Sequence, residues 1–78
     1  MKTEYKFIKF VEHTRNNLPN WWEIMNIKEN DGIGIIEWYP RWRKYIFMSA
    51  SADYIFDKTC LKDIIAFIED VTKERAKK

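Results

Sequence analysis

The chain has 78 residues, of which 46% are hydrophobic, 33% charged and 17% aromatic, and its formal net charge is +2. This composition is typical of one small globular domain, and it excludes a disordered tail and a strongly basic nucleic-acid binder. No apolar run approaches the roughly 18 residues that a membrane span needs, and the single cysteine excludes an intrachain disulfide. We therefore expect one domain over residues 1–78, frayed at 1–4 and 74–78, in a reducing cytoplasm.

Four segments have the apolar and β-branched composition of strands, and turn residues separate them. Asp31-Gly32 favours a two-residue hairpin loop between the second and third segments, and Pro40-Arg41 predicts another tight turn before the fourth. Between the first two segments, Leu18-Pro19-Asn20 indicates a loop. The predicted strands are residues 5–11, 21–27, 33–39 and 43–49.

An amphipathic helix follows the strands. Asp57 is suited to cap its N-terminus, because a carboxylate there accepts hydrogen bonds from first-turn amides. Apolar residues then recur at helical spacing, and basic residues crowd the last turns, where cations suit the helix dipole. The predicted stripe is Leu61, Ile64, Ile65, Ile68, Val71 and Thr72, widened by Cys60 and Phe67. A single such helix must pack on the sheet, so we predict an α+β fold of order β-β-β-β-α.

The two predicted turns set a register for the sheet. Two-residue loops would place Ile27 opposite Ile36 and Glu37 opposite Lys44, the latter a favourable charge pair. On this register the helix packs on a face that carries Trp21, Met25, Ile27, Ile36, Trp38, Tyr45 and Phe47. The other face then carries Trp22, Ile24, Asn26, Lys28, Ile35, Glu37, Tyr39, Trp42 and Lys44.

Residues that could support catalysis are scarce. His13 is the only histidine, and we interpret it as an ordinary solvated residue. Cys60 near the helix start could have a lowered pKa, although its place on the stripe favours a small buried apolar side chain. Glu23 and Glu37 fall on opposite faces in the predicted register, so they form no acid–base pair. We therefore expect no enzyme, no cofactor and no metal site.

The residues that point to a function lie in and beside the predicted second hairpin. Three aromatic rings on a sheet face without a helix would form a larger apolar patch than a monomer usually exposes, and nearby cations are typical of binding surfaces. We predict a binding site formed by Trp22, Tyr39, Arg41, Trp42, Arg43 and Lys44. A protein partner or a second copy of this chain is the first hypothesis. Single-stranded nucleic acid, with bases stacked on the rings and phosphates on the cations, is the alternative.

Two strings resemble a group of short, uncharacterised proteins that phages and prophages often encode. The first runs from Glu37 to Phe47 and contains W-Y-x-x-W-R-x-Y-x-F. The second begins at Phe56-Asp57, continues with Cys60-Leu61 and ends in the Ile-rich helix. Together they cover roughly residues 34–71. The resemblance implies a phage-related, cytoplasmic context, and it assigns no catalytic or binding residue.

Overall fold

The computed structural model describes residues 1–76, which form four strands and one helix. The strands pair antiparallel in the order β1-β2-β3-β4, and the helix follows them, so the predicted α+β fold is confirmed. The elements are β1 (Ile8–Arg15), β2 (Leu18–Asn26), β3 (Asp31–Tyr39), β4 (Lys44–Ser49) and α1 (Lys58–Ala76).

The first two strands are longer than the sequence pattern predicts. β1 runs on to Arg15, and β2 begins at Leu18 where a loop was predicted. The connection needs only Asn16 and Asn17, and Asn17 takes a positive φ of 63°, a conformation that asparagine tolerates. Pro19 fits within this strand because the pairing of β1 with β2 is irregular there.

The N-terminal residues fold back along β1. The Phe10 amide donates to the Thr3 carbonyl at 2.7 Å, and Glu4 forms a bridge with Lys9. Thr3 and Glu4 therefore have backbone partners in β1. At the other end α1 continues to Ala76, while Lys77 and Lys78 lie outside the described residues. Fraying at 1–4 and 74–78 stays a prediction.

A β-bulge in the hairpin between β2 and β3 corrects the predicted faces. The chain turns at residues 27–30 instead of Asp31-Gly32, which moves the register without changing which residues share a face. Between Met25 and Ile24 the register shifts by one residue. Ile33 is the extra residue, since Met25 pairs with Gly32 and Ile24 pairs with Gly34. One extra residue exchanges the two faces of a strand. Trp22 and Ile24 therefore face the helix, and Trp21 and Met25 face away from it.

The hairpin between β3 and β4 has a longer turn than predicted, residues 40–43. Glu37 lies opposite Ile46 and Tyr39 opposite Lys44, so the predicted pairing of Glu37 with Lys44 is wrong. The shift is two residues, and the side-chain alternation of a strand has a period of two. Trp38 and Tyr45 therefore share the helix side, as the sequence predicted.

The helix begins at the predicted cap. The Cys60 amide donates to Asp57 Oδ1 at 2.9 Å, and the Leu61 amide donates to the Asp57 carbonyl at 2.9 Å. Within the helix Ile64, Phe67 and Val71 are buried. Leu61 and Ile65, which the predicted stripe includes, are instead exposed.

The core lies between α1 and one face of the sheet, which we call the covered face. Phe67 is central to it, since its ring stacks on Phe10 with centroids 3.9 Å apart and meets Trp22 edge-on at 5.5 Å. At the end of the helix the Arg75 guanidinium lies 3.7 Å from the centroid of Trp38, a cation–π contact that joins α1 to the second hairpin. The buried core residues are Ile8, Phe10, Trp22, Ile24, Ile33, Ile36, Ile64, Phe67 and Val71.

Candidate binding site

The second face of the sheet carries no helix, and we call it the open face. The strand register places apolar and charged side chains on it in alternation. Met48 is 48% exposed and Val11 is 37% exposed, so apolar surface on this face is in contact with solvent. Its members are Lys9, Val11, His13, Trp21, Glu23, Met25, Ile35, Glu37, Tyr39, Lys44, Ile46 and Met48.

Ion pairs across three strands organise one half of the open face. Arg15 on β1 reaches Glu37 on β3, with Nη2 2.8 Å from Oε1, and its guanidinium lies 5.4 Å from the centroid of Trp21. The His13 ring stacks on Trp21 at 4.3 Å. His13 Nε2 also lies 3.4 Å from Glu23 Oε1. These contacts place Trp21 between His13 and Arg15, and they give Glu37 a permanent cation as its partner.

The turn between β3 and β4 presents the most exposed aromatic ring of this region. Trp42 is 63% exposed, and its ring meets the half-buried Tyr39 edge-on with centroids 4.9 Å apart. The Trp42 amide donates to the Tyr39 carbonyl at 3.2 Å. Arg43 closes the turn with a φ of 53°, so backbone geometry and the Tyr39 contact together position Trp42 at the end of the hairpin.

Three cations are neighbours of Trp42 along the turn and the start of β4. Arg41, Arg43 and Lys44 are all exposed, and none of them forms an ion pair with another residue of the described chain. Arg43 and Lys44 also line a groove of about 570 Å³ between the second hairpin and the end of α1. The turn is therefore a site of uncompensated positive charge around an exposed ring.

Trp22 does not belong to this site. Only 6% of its surface is exposed, and it lies in the core, so its predicted place on an open binding surface is wrong. The cause is the bulge at Ile33, which turns Trp22 towards α1. Its Nε1 has no hydrogen-bond partner among the described residues. The other five predicted residues, Tyr39, Arg41, Trp42, Arg43 and Lys44, lie together at the end of one hairpin.

The structure also shows the surroundings of the residues that the sequence offered as candidates for catalysis. Burial, followed by the charges of Asp57 and Asp63, raises the pKa of the half-buried Cys60 thiol, which is opposite to activation by a helix N-terminus. His13 is a half-buried strand residue and not the solvated loop residue of the prediction. Glu23 and Glu37 share the open face, contrary to the predicted register. Glu37 is paired with the Arg15 guanidinium and Glu23 lies beside the His13 ring, so each carboxylate has a neighbour within the sheet.

The sequence did not predict Trp21 as a member of the open face or Arg15 as the residue that pairs with Glu37 there. Both lie where the sequence suggested a loop or a helix-packed strand. One signal was available, since Gly32 and Gly34 flank Ile33 and a glycine inside a strand often marks a bulge. A bulge there predicts the exchange of faces on β2.

Comparison with family models, with curated proteins and with solved structures finds no match to this chain. Among residues 1–76, no helix has the length and apolar character to cross a membrane.

Proposed function

We propose that this protein is a non-catalytic binding module that docks a partner protein at the β3–β4 turn and the adjoining open face. The observation that carries the proposal is Trp42, which is 63% exposed among cations that have no acidic partner in the described chain. Tryptophan and arginine are enriched among the residues that dominate protein interfaces. A free monomer gains nothing in stability from exposing this combination.

The chemistry of the turn suggests the kind of partner segment that it binds. The ring offers a large apolar surface, while Arg41, Arg43 and Lys44 offer donors to carboxylates. We infer that the partner presents an apolar side chain flanked by aspartate or glutamate. Burying Trp42 would supply most of the binding energy, and the cations would speed association and orient the complex.

Single-stranded nucleic acid is the second candidate, because the same cations suit phosphates and a base can stack on Trp42. Two features weigh against it. Tyr39 stands edge-on to Trp42 at 72°, so the two rings do not form a flat platform for consecutive bases. The loss of Trp22 to the core also leaves one fewer ring than the sequence predicted.

A displayed library of random peptides tests the first candidate. Selection on the wild-type protein should enrich peptides in which acidic residues flank an apolar one. Trp42→Ala should weaken their binding at least tenfold while leaving the folded state intact, as measured by circular dichroism. Ile55→Ala, an exposed apolar residue near the β2–β3 turn and outside the proposed docking surface, is the control and should bind nearly as well. Enriched peptides that bind Trp42→Ala as tightly as the wild type would refute the proposal.

Titration with a single-stranded DNA oligonucleotide tests the second candidate by tryptophan fluorescence at low and near-physiological salt. Saturable quenching that weakens with salt, and that Trp42→Ala abolishes, would favour nucleic acid over a protein partner. A flat titration at both salt concentrations would exclude that alternative.

We further propose a cytoplasmic, phage-related setting, which rests on the single unpaired cysteine and on the resemblance over residues 34–71. An acidic segment of another protein in that setting is the partner that the turn suits best. Proximity labelling from the protein in cells, compared between the wild type and Trp42→Ala, would identify it. If the same proteins were labelled by the wild type and by Trp42→Ala, the turn would have no role in binding them.

A further inference from the structure

The two edge strands of the sheet, β1 and β4, differ in whether another segment of the chain covers their outer backbone groups. The outer edge of β1 is shielded at its start by the N-terminal return, in which the Phe10 amide donates to the Thr3 carbonyl. β4 (Lys44–Ser49) is the other edge, and within residues 1–76 it pairs only with β3. An edge strand presents unpaired amides and carbonyls that can pair with another strand. β4 contains no proline and has one charged residue, Lys44, at its end, so little prevents such pairing.

The helix layer exposes apolar surface on the same side. Leu61 is 41% exposed and Ile65 is 57% exposed. They continue the line of Ile68 and Thr72 at helical spacing, and these two residues line the groove beside Lys44 and Tyr45 of β4. β4 is also the strand that the backbone of α1 approaches most closely. The unpaired strand edge and the exposed helix stripe therefore form one two-layered side of the molecule.

We propose that a second copy of this chain occupies this side, with β4 pairing antiparallel to the β4 of the partner and α1 packing against the α1 of the partner. The result is a continuous eight-stranded sheet with two helices on its covered faces. This inference goes beyond the proposed function, because the dimer uses the edge of β4 and the exposed stripe of α1 and leaves the Trp42 ring and the open faces available to another molecule.

Symmetry argues for a second copy over an unrelated strand. A two-fold axis perpendicular to the sheet makes the strands antiparallel, keeps each covered face on the same side, and makes the two helices antiparallel at equal height. With Ile65 near the axis, Lys62 of each copy comes beside Glu69 of the other. Both residues are exposed, and they are opposite in charge. The side is thus complementary to itself in hydrogen bonding, apolar surface and charge.

The proposed dimer interface needs both the edge of β4 and the exposed stripe of α1 to reach the area of a standard interface. A standard interface buries about 800 Å² per partner, a modest part of the 5931 Å² of this chain. β4 has six residues, which span about 20 Å at 3.4 Å each, and a strand edge of that length offers too little area alone. The adjacent stripe of α1 supplies the remaining apolar area.

Sedimentation equilibrium tests the proposal on the full chain. We expect a mass about twice the 9.6 kDa of the monomer at micromolar concentration. Ile65→Glu should shift the mass to that of the monomer, since it buries a charge at the helix contact. Ile55→Glu is the control, because Ile55 is 95% exposed and lies near the β2–β3 turn, outside both β4 and α1. The proposal would be overturned by a wild type that stays monomeric at roughly 100 µM, where a dimer with a micromolar dissociation constant would be largely assembled.

Charge exchange sharpens the test. Lys62→Glu or Glu69→Lys alone should raise the dimer dissociation constant about 2- to 30-fold, because two-fold symmetry makes each variant disrupt two exposed ion pairs. The double variant should restore it, which a role confined to helix stability would not do. A double variant that dissociates more easily than either single variant would contradict the antiparallel helix pairing.

Cross-linking separates this dimer from association through the open face. In a Cys60→Ser background, Ile65→Cys should form a covalent dimer under mild oxidation, whereas Ile55→Cys should not. A dimer that Trp42→Ala dissociates while Ile65→Glu leaves it intact would place self-association at the open face and overturn this inference. Loss of peptide binding in Trp42→Ala with the dimer retained would support both proposals separately.

Discussion

The covered face of the sheet is apolar where it packs on the helix, whereas the open face mixes apolar and charged side chains. On the covered face, Phe10, Trp22 and Ile36 meet Phe67 of the helix, and none of the buried residues is charged. On the open face, apolar residues alternate with polar groups such as Glu23, which lies beside His13, and Glu37, which pairs with Arg15. The covered face therefore carries the stability of the fold, because burial of apolar area dominates folding. The open face is held in place by weaker contacts and remains available for binding.

Phe67→Ala should have the largest effect, because it removes the ring that joins the helix to the covered face. Phe67 is fully buried, and such a truncation costs about 3–5 kcal/mol. A domain of this size has a total stability of about 4–12 kcal/mol, so the variant should be close to unfolding. Urea denaturation followed by circular dichroism measures the change. Ile55→Ala, at an exposed position, should stay within about 0.5 kcal/mol, and equal losses in the two variants would contradict this assignment of the core.

Gly34→Ala tests the packing of the covered face at the second hairpin. A Cβ there would lie 2.7 Å from Cε1 of Phe47 and 2.8 Å from the carbonyl oxygen of Met48. Because a backbone atom cannot move aside cheaply, we expect a loss of about 1–3 kcal/mol. The matched variant is Gly32→Ala, whose Cβ would meet the end of the Glu23 side chain. That flexible carboxylate can swing away, so Gly32→Ala should cost clearly less in the same urea experiment.

Asp57→Ala should have an intermediate effect, because it removes the cap of the helix and leaves its buried residues unchanged. The hydrogen bond from the Cys60 amide to Asp57 Oδ1 is typical of caps worth about 1 kcal/mol. Thermal unfolding should show the loss, and Asp57→Asn should recover most of it. If the asparagine variant were as unstable as the alanine variant, the side-chain cap would not be the stabilising contact.

Arg15→Ala should have the smallest effect, because its contacts lie on the open face. The pair with Glu37 has an N–O distance of 2.8 Å, but both side chains remain partly exposed, and such pairs contribute about 0–1 kcal/mol. We expect a loss below about 1 kcal/mol that shrinks at high salt. Arg41→Ala, without an ion pair in the described chain, should change the free energy of unfolding by less. A larger loss at Arg15 than at Gly34 would reverse the comparison of the two faces.

The hairpins explain why the sequence predicted the faces of β4 correctly and those of β2 wrongly. In the second hairpin, replacing a two-residue loop by residues 40–43 moves the register by two, and side-chain alternation is unaffected. In the first, the extra residue Ile33 moves it by one. The local pattern around Trp21-Trp22 is ambiguous, since both residues are large and aromatic. A bulge that depends on pairing with the neighbouring strand decided which of them is buried.

The prediction of the binding site was also correct for residues in the second hairpin and wrong for the residue from β2. Tyr39, Arg41, Trp42, Arg43 and Lys44 are neighbours in the sequence, so any hairpin brings them together. Trp22 comes from another strand, and its membership depended on a register that the sequence did not determine. Arg15 escaped prediction for the same reason, because it reaches Glu37 across an intervening strand.

The sequence by itself determined the order of the elements, the cap at Asp57 and the aromatic, cationic turn, because each depends on contacts between residues close in the chain. The tertiary structure alone decided which tryptophan is buried, which part of the helical stripe stays exposed and which strand edge remains unpaired. Those outcomes depend on contacts between distant residues, where a single inserted residue in one strand exchanges the face of another.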